Sequence, residues 1–493
     1  MTGMEHLDVL VVGAGLSGID AAFWLKTGNA TRSWAIFEGR DAIGGTWDLF
    51  RYPGIRSDSD MTTLGFPFRP WRGEKAIAAG EDIRDYIRDT AAAFDIDAKV
   101  RLRHRVTNAD WSSADALWIV SYTVDGIAAQ LTCRFLFLCS GYYDYAAGHA
   151  PTWPGMDAFA GQVVHPQFWP DDLSVAGKDV VVVGSGATAV TLVPAMVDHR
   201  AAHVTMLQRS PTYIVSRPSR DDRGETLRRW LPDKVAEAAV RWKNIGYGIF
   251  VYGVSRRKPH VLKQKIRQQQ RAMLGPDFDI ATHLTPRYDP WDQRLCLVPD
   301  GDLFKVLRNG RASIATDEIA EFTRDGLQLK SGEAIPADIV VTATGLKVQL
   351  MGGARLTVDG ALVDPGKRLL YRGAMLDGVP NLAFAIGYTN ASWTLKCDLT
   401  SQFVRRLLDH MDRRKMDSVV PVAPPSTAGD EPILDLSSGY VQRAADLLPR
   451  QGASAPWKVK QNYLRDLLAF RTGRIDDGVL RFGRRDLAKE RAA

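Results

Sequence analysis

An α/β fold made of two Rossmann-like dinucleotide-binding domains and a helical insertion is what this sequence predicts, and three observations carry that reading. Twice, a β-branched run enters a glycine-rich turn and continues into a helical pattern. The first is Val9–Val12 into Gly13-Ala14-Gly15-Leu16-Ser17-Gly18, and the second is Val180–Val183 into Gly184-Ser185-Gly186-Ala187-Thr188-Ala189. Each turn is followed by another apolar strand, Trp34–Phe37 and then Val204–Leu207. Between Ser210 and Pro290 this rhythm stops, and a basic, aromatic, helix-forming stretch intervenes. A chain of 493 residues with 45% hydrophobic content is long enough for two or three domains with cores of their own. The expected division assigns 1–145 and 346–493 to the first nucleotide domain with a C-terminal tail, 146–213 and 291–345 to the second, and 214–290 to the insertion.

In the first unit, Gly13 permits the tight turn, Gly15 lets backbone N–H groups approach a pyrophosphate, and Gly18 allows close packing of the helix. Glu38 ends the following strand twenty residues after Gly18, where a carboxylate can accept bonds from ribose hydroxyls. An N-terminal site of this kind normally holds FAD. The plain alternative is an ordinary Gly-rich turn with a surface Glu. Beyond it, Gly44 and Gly45 are small enough to let backbone approach a diphosphate, and Trp47 can cover an aromatic ring.

In the second unit the strand Val204–Leu207 ends in Gln208-Arg209-Ser210 and not in an acid. A dianionic 2′-phosphate would be repelled by a carboxylate and can be gripped by a guanidinium, so the expected cofactor is NADPH with Arg209 on its phosphate. The cofactor-binding candidates here are Gly184, Ser185, Gly186, Thr188, Arg209 and Ser210. Val180 to Val197 is eighteen residues without a charge, but Gly184, Ser185, Gly186 and Pro194 break it, so a strand, turn and helix start are expected in place of a bilayer span.

Two dinucleotide sites imply electrons passing from nicotinamide to flavin. Cys133, Cys139, Cys296 and Cys397 form no C-x-x-C pair, which removes a redox disulfide as the next acceptor and fits a reducing compartment. No secretion signal precedes Asp8, so the expected location is cytoplasmic; no metal is expected. A quinone, another protein or oxygen remains as acceptor.

The choice among them comes from Phe159-Ala160-Gly161-Gln162-Val163-Val164-His165-Pro166-Gln167-Phe168-Trp169-Pro170, and from Gly44-Gly45-Thr46-Trp47 with Tyr52-Pro53-Gly54-Ile55-Arg56-Ser57-Asp58. The first string resembles the F-x-G-x-x-x-H-x-x-x-W-P signature of Baeyer–Villiger flavoprotein monooxygenases, and the second resembles their G-G-T-W…Y-P-G-x-R-x-D run. Nearly the whole chain, Asp8 to Phe482, follows the family, most closely its ethionamide-activating subgroup. The resemblance implies FAD and NADPH, O₂ as acceptor, ketones as substrates with sulfides and thioamides beside them, and a C4a-peroxyflavin. It implies that Asp58 lies near the flavin, that His165 serves domain communication, and that Arg294, in Trp291-Asp292-Gln293-Arg294-Leu295, is the active-site cation. Gly45, Thr46 and Trp47 belong to the FAD loop on the same ground. A permanent charge at Arg294 would stabilise an oxyanion, held in place by Asp58. Asp60 competes with Asp58 as the carboxylate, and Asp292 is the plain surface partner for Arg294. Several family members carry Lys where Gln293 stands, a departure expected to soften the preference for NADPH.

From Arg223 to Arg271 thirteen Lys or Arg face three acids, an excess of ten against +6 for the whole chain. A helical insertion there is expected to cap the substrate cavity, and its surface suits an acidic membrane or a neighbouring subunit as well as plain solvation. Nucleic acid is not expected, since no reading motif accompanies the charge. Further expectations are a late strand within Pro380–Tyr388, a helix from about Thr394 to Met411, Asn390, Trp393 and Thr394 beside the flavin ring, and a tail, Ser454 to Phe482, ordered over bound nucleotide. A sulfur- or nitrogen-oxygenating enzyme and a non-catalytic NADP-sensing module are the rival functions.

Overall fold

The computed structural model describes residues 4–485 apart from 425, 426, 428, 430 and 434–436. Its first sheet has nine strands. Trp34–Phe37, His6–Val12, Ile127–Leu138 and Leu382–Phe384 form its parallel heart, with Val11 opposite Ile36 on one side and Phe137 on the other. Those strands are apolar on both faces because helices cover one side and a second cluster covers the other, as a parallel sheet demands. His104–Ser112 and Leu117–Val124 continue it antiparallel and alternate buried with open positions, since only one face meets the core. The helix Trp393–Arg414 packs with Leu16–Lys26 over the sheet, so the expected C-terminal helix and the strand before it are both present.

The second sheet is five-stranded and wholly parallel, in the order Ala312–Thr316, His203–Gln208, Asp179–Val183, Ile339–Thr342, Gln162–Val164. Its chain order reverses beside Asp179–Val183, where doubly wound sheets take ligands at their carboxyl ends. The helix Ala187–Asp198 follows directly and runs through Pro194. Pro194 therefore does not break it: the apolar face around it is buried, and that packing offsets one missing backbone bond.

The chain crosses between the sheets twice, as Tyr143–Gly148 and Leu346–Val348, which pair antiparallel. Segment 214–290 opens on a strand, Ile214–Arg217, paired with Cys296–Pro299, before the helices Asp222–Trp230, Asp233–Arg257 and Pro259–Leu274. Part of its basic excess is paired, Lys243 with Asp221 at 2.6 Å, Arg256 with Asp292 at 2.7 Å and Lys263 with Asp289 at 2.6 Å. Among the described residues no helix is long and apolar enough to cross a membrane.

Candidate active site

Both glycine turns open onto one cavity of about 710 Å³ lined from both sheets. At the first turn Gly13 has φ +104°, and a Cβ there would stand 2.7 Å from the Cys139 carbonyl oxygen. A Cβ on Gly18 would overlap the Gly13 carbonyl, which is why the helix can start so close. Gly45 faces Gly15 so tightly that a Cβ on Gly45 would lie 2.9 Å from the Gly15 Cα. The helix Leu16–Lys26 begins with no side-chain cap and no acid in its first turn, leaving its N–H groups for an anion. This cradle, which any side chain would fill, fits a dinucleotide pyrophosphate. Glu38 stands beside it and accepts from Ala14 N at 2.8 Å and Arg40 N at 3.0 Å. Burial raises its pKa, against the pull of those two amides.

The second turn repeats the arrangement with more open space. Gly184 has φ +137° and backs onto the Ala343 carbonyl, whereas Gly186 has nothing within 4 Å of a Cβ. The helix Ala187–Asp198 again starts uncapped, and Ser185 Oγ donates to Ser210 O at 3.1 Å. Ser185, Gly186 and Thr188 line the cavity; Gly18 and Gly184 lie behind its wall. Arg209 and Ser210 are exposed at the end of His203–Gln208 and outside that wall.

Between the turns, Gly44-Gly45 leads into the short helix Thr46–Leu49, and Thr46 and Trp47 line the cavity. Thr46 Oγ1 meets Tyr145 Oη at 3.2 Å, and burial pushes Tyr145 up to about 12. Arg294 Nη1 donates to Asp58 Oδ2 at 3.1 Å, and both residues are in the cavity wall. Asp60 is accounted for otherwise: it caps Met61–Leu64, accepting from Thr63 N at 3.1 Å. Asp292 turns to Arg256, so the surface pair with Arg294 does not form. The approach is strained at Trp291, which has φ +74°.

Around Arg294 stand Tyr142, Tyr143 and Tyr440. Burial opposes its charge, but the surrounding Tyr142, Asp58, Tyr440 and Tyr143 outweigh it and its pKa is raised. Burial also pushes all three phenols up, so they are neutral at pH 7. Tyr142 Oη is 2.7 Å from Tyr143 Oη, and its ring stacks on Trp393 at 5.1 Å.

His165 sits outside the cavity at the junction of the two crossings. Its Nδ1 accepts from Gln167 N at 3.2 Å, which places the proton of the neutral ring on Nε2, a buried nitrogen with no hydrogen-bond partner among the described residues. Desolvation lowers its pKa and keeps it neutral. A Cβ on Gly148 would overlap its ring, so the imidazole packs directly on Gly148 of the first crossing. Trp169 packs partly buried on the core of the second sheet, and Phe159 on Phe322 at 5.6 Å.

Several expectations fail here. Thr394 is fully buried, donating to Thr63 O and Leu64 O, because those carbonyls end a short helix that needs a donor. Asn390 donates to Gln461 O at 2.9 Å and lines no part of the cavity, unlike Trp393. The tail from Ser454 to Phe482 lines none of it; Trp457 and Tyr463 are buried in the core over the first sheet. The inserted helices do not cap the cavity either. Arg241 donates to Thr62 O at 2.7 Å and Gly65 O at 2.9 Å, so that helix braces the loop after Asp58. Missed altogether were Tyr142, Tyr143 and Tyr440. The Tyr142-Tyr143 pair after the Ser140-Gly141 turn was a usable signal; Tyr440 had none.

A family profile described as flavin-binding monooxygenase-like matches residues 66–226. The chain is 53% identical to the FAD-containing monooxygenase EthA of Mycobacterium tuberculosis over 98% of both chains. It is 47% identical to the probable FAD-binding monooxygenase AlmA of Acinetobacter baylyi, over 99% of this chain and 98% of that one. Among solved structures it resembles an oxidised steroid monooxygenase bound to NADP (TM-score 0.76, 20% identity, 97% of this chain and all of that one). It also resembles cyclohexanone monooxygenase from Rhodococcus sp. Phi1 bound to NADP⁺ (0.75, 19%, 98% and 100%).

Proposed function

The chain belongs to the flavin-binding monooxygenase-like family, and from that premise we propose that it is an FAD-containing, NADPH- and O₂-dependent enzyme converting ketones to esters or lactones and oxidising sulfides or thioamides as well. The ketone reaction balances as ketone, O₂, NADPH and a proton giving ester, water and NADP⁺. Bound FAD supplies the acceptance of two electrons from nicotinamide and their delivery to O₂.

The chain's own groups do the binding and steering. The uncapped amides after Gly15 and Gly186 take the two pyrophosphates, and Glu38 takes the ribose hydroxyls. Arg209, exposed and with Ser210 next to it, grips the 2′-phosphate, with Gln293 adding no charge. Trp47 and Trp393 shield the cavity from water. His165, neutral and packed on Gly148 of the first crossing, relates movement of one nucleotide domain to the other. Sheet membership supports 1–145 with 346–493 as the FAD domain and 146–213 with 291–345 as the NADP domain.

The observation that carries the reading is the Arg294–Asp58 pair in a wall common to both glycine turns. A guanidinium cannot give up its proton, so it holds negative charge on an attacking oxygen and on the oxyanion that follows at the carbonyl carbon. The test is incubation of FAD-loaded protein with NADPH, air, a set of ketones and one keto-sulfide. Ester or lactone supports the proposal; sulfoxide alone, with the ketone intact, gives the sulfur-oxidising reading its place. Hydrogen peroxide as the sole product removes oxygenation altogether.

A further inference from the structure

The inserted helix Asp233–Arg257 is apolar on two faces, and only one of them is covered. Ala236, Val240 and Ile245 are buried on the inward side. Arg241, through Thr62 O and Gly65 O, and Asn244 Nδ2, 2.7 Å from Thr62 Oγ1, pin that side to the loop after Asp58. On the outward side the chain returns Val235, Trp242, Phe250 and Arg257 to one stripe, two helical turns at a time. All four are exposed, Phe250 at 67%, and Trp230, at the end of the preceding helix, is exposed at 83%. Trp242 meets Tyr463 at 6.0 Å, and the helix Tyr463–Thr472 repeats the pattern with Leu464, Leu468 and Arg471 on one exposed face. A helix apolar all round belongs in a core, and an outer face left bare in this way marks a contact with something else.

Charge decides what that partner is. The acids of the two helices are already taken, Asp233 and Glu237 by Arg72 at 3.5 and 3.0 Å and Asp466 by Lys396 at 2.7 Å. Arg229, Lys234, Arg257 and Lys258, which flank the aromatic side chains, are exposed and form no ion pair among the described residues. A second copy of the stripe, in either direction, would set these cations against one another. Nucleic acid would cover the charges and leave Leu464 and Leu468 bare. Aromatic and aliphatic side chains rimmed by free cations match the headgroup boundary of a bilayer that carries anionic lipid.

We propose that the outward faces of Asp233–Arg257 and Tyr463–Thr472, together with Trp230, form a docking surface for a bilayer containing anionic phospholipid, on which the protein rests without crossing it.

The test is co-sedimentation of full-length, FAD-loaded protein with vesicles of phosphatidylcholine alone or mixed equally with phosphatidylglycerol. The protein should pellet with the mixed vesicles, less so at high salt, and stay in solution with phosphatidylcholine alone. Phe250→Ser and Trp230→Ser should each weaken binding about tenfold, and Arg257→Gln about fivefold. Ile127→Ser, which removes a side chain 74% exposed at the start of a strand in the first sheet, should leave binding unchanged. All four variants should keep the wild-type melting temperature, because each replaced side chain is exposed. Equal binding to neutral vesicles, no sedimentation with the anionic ones, or a loss in Ile127→Ser equal to that in Phe250→Ser would overturn the proposal. So would tighter binding to duplex DNA than to anionic vesicles, or a dimer in solution that Phe250→Ser converts to monomer.

Discussion

Replacing Arg294 by Met removes a charge and keeps most of the side-chain bulk, and the structure predicts that stability and chemistry respond very differently. At 3.1 Å the ion pair with Asp58 would be worth about 5 kcal/mol at an effective dielectric of 20. The two side chains are 34% and 45% exposed, however, and screening leaves such pairs roughly 1 kcal/mol or less. The melting temperature should therefore fall by no more than about 4 °C. The lost stabilisation of a developing oxyanion is far larger, about 2.7–4 kcal/mol, or a 10²- to 10³-fold drop in ester formation. NADPH should still reduce the flavin, because Arg294 touches neither glycine turn. The assay is single-turnover reduction followed by ester and peroxide measurement in the same sample, with expected diversion of electrons into peroxide. Normal ester yield per NADPH in Arg294→Met would refute the electrostatic role.

Arg209→Ala should raise the KM for NADPH about tenfold or more and leave that for NADH nearly unchanged, since only the former carries the 2′-phosphate; equal changes would take Arg209 off that site. Asp20 is buried, and desolvation first and Asp398 second raise its pKa well above 3.8. Its contribution to stability is thus full below pH 3.8 and is lost as pH rises through the folded-state value. Asp20→Asn should accordingly gain on wild type in melting temperature between pH 5 and pH 9, and a constant difference across that range would contradict the assignment. Lys396, buried with its pKa lowered by desolvation, bonds Asp466 at 2.7 Å and so ties the helix Tyr463–Thr472 to Trp393–Arg414. Lys396→Met should cost about 3–5 kcal/mol in denaturant unfolding by stranding Asp466, and adding Asp466→Leu should restore part of it.

The sequence by itself determined the two nucleotide units, because each glycine requirement is local: a positive φ at Gly13 or Gly184 and a blocked Cβ at Gly18 are set within a few residues of the strand that precedes them. It also made Arg294 and Asp58 partners through a resemblance of short runs. Tertiary structure decided which carboxylate faces that cation, since Asp58 and Asp60 lie on one loop and differ only in which of them the helix start at Met61 consumes. It likewise decided that Tyr440 shares the wall with Tyr142, that Thr394 points at Thr63 and Leu64, and that the basic helices brace a loop and do not roof the cavity. Periodicity and composition report what a segment buries and not against which distant segment, so contacts between the C-terminal chain and the first sheet emerge only when every apolar face has found its cover.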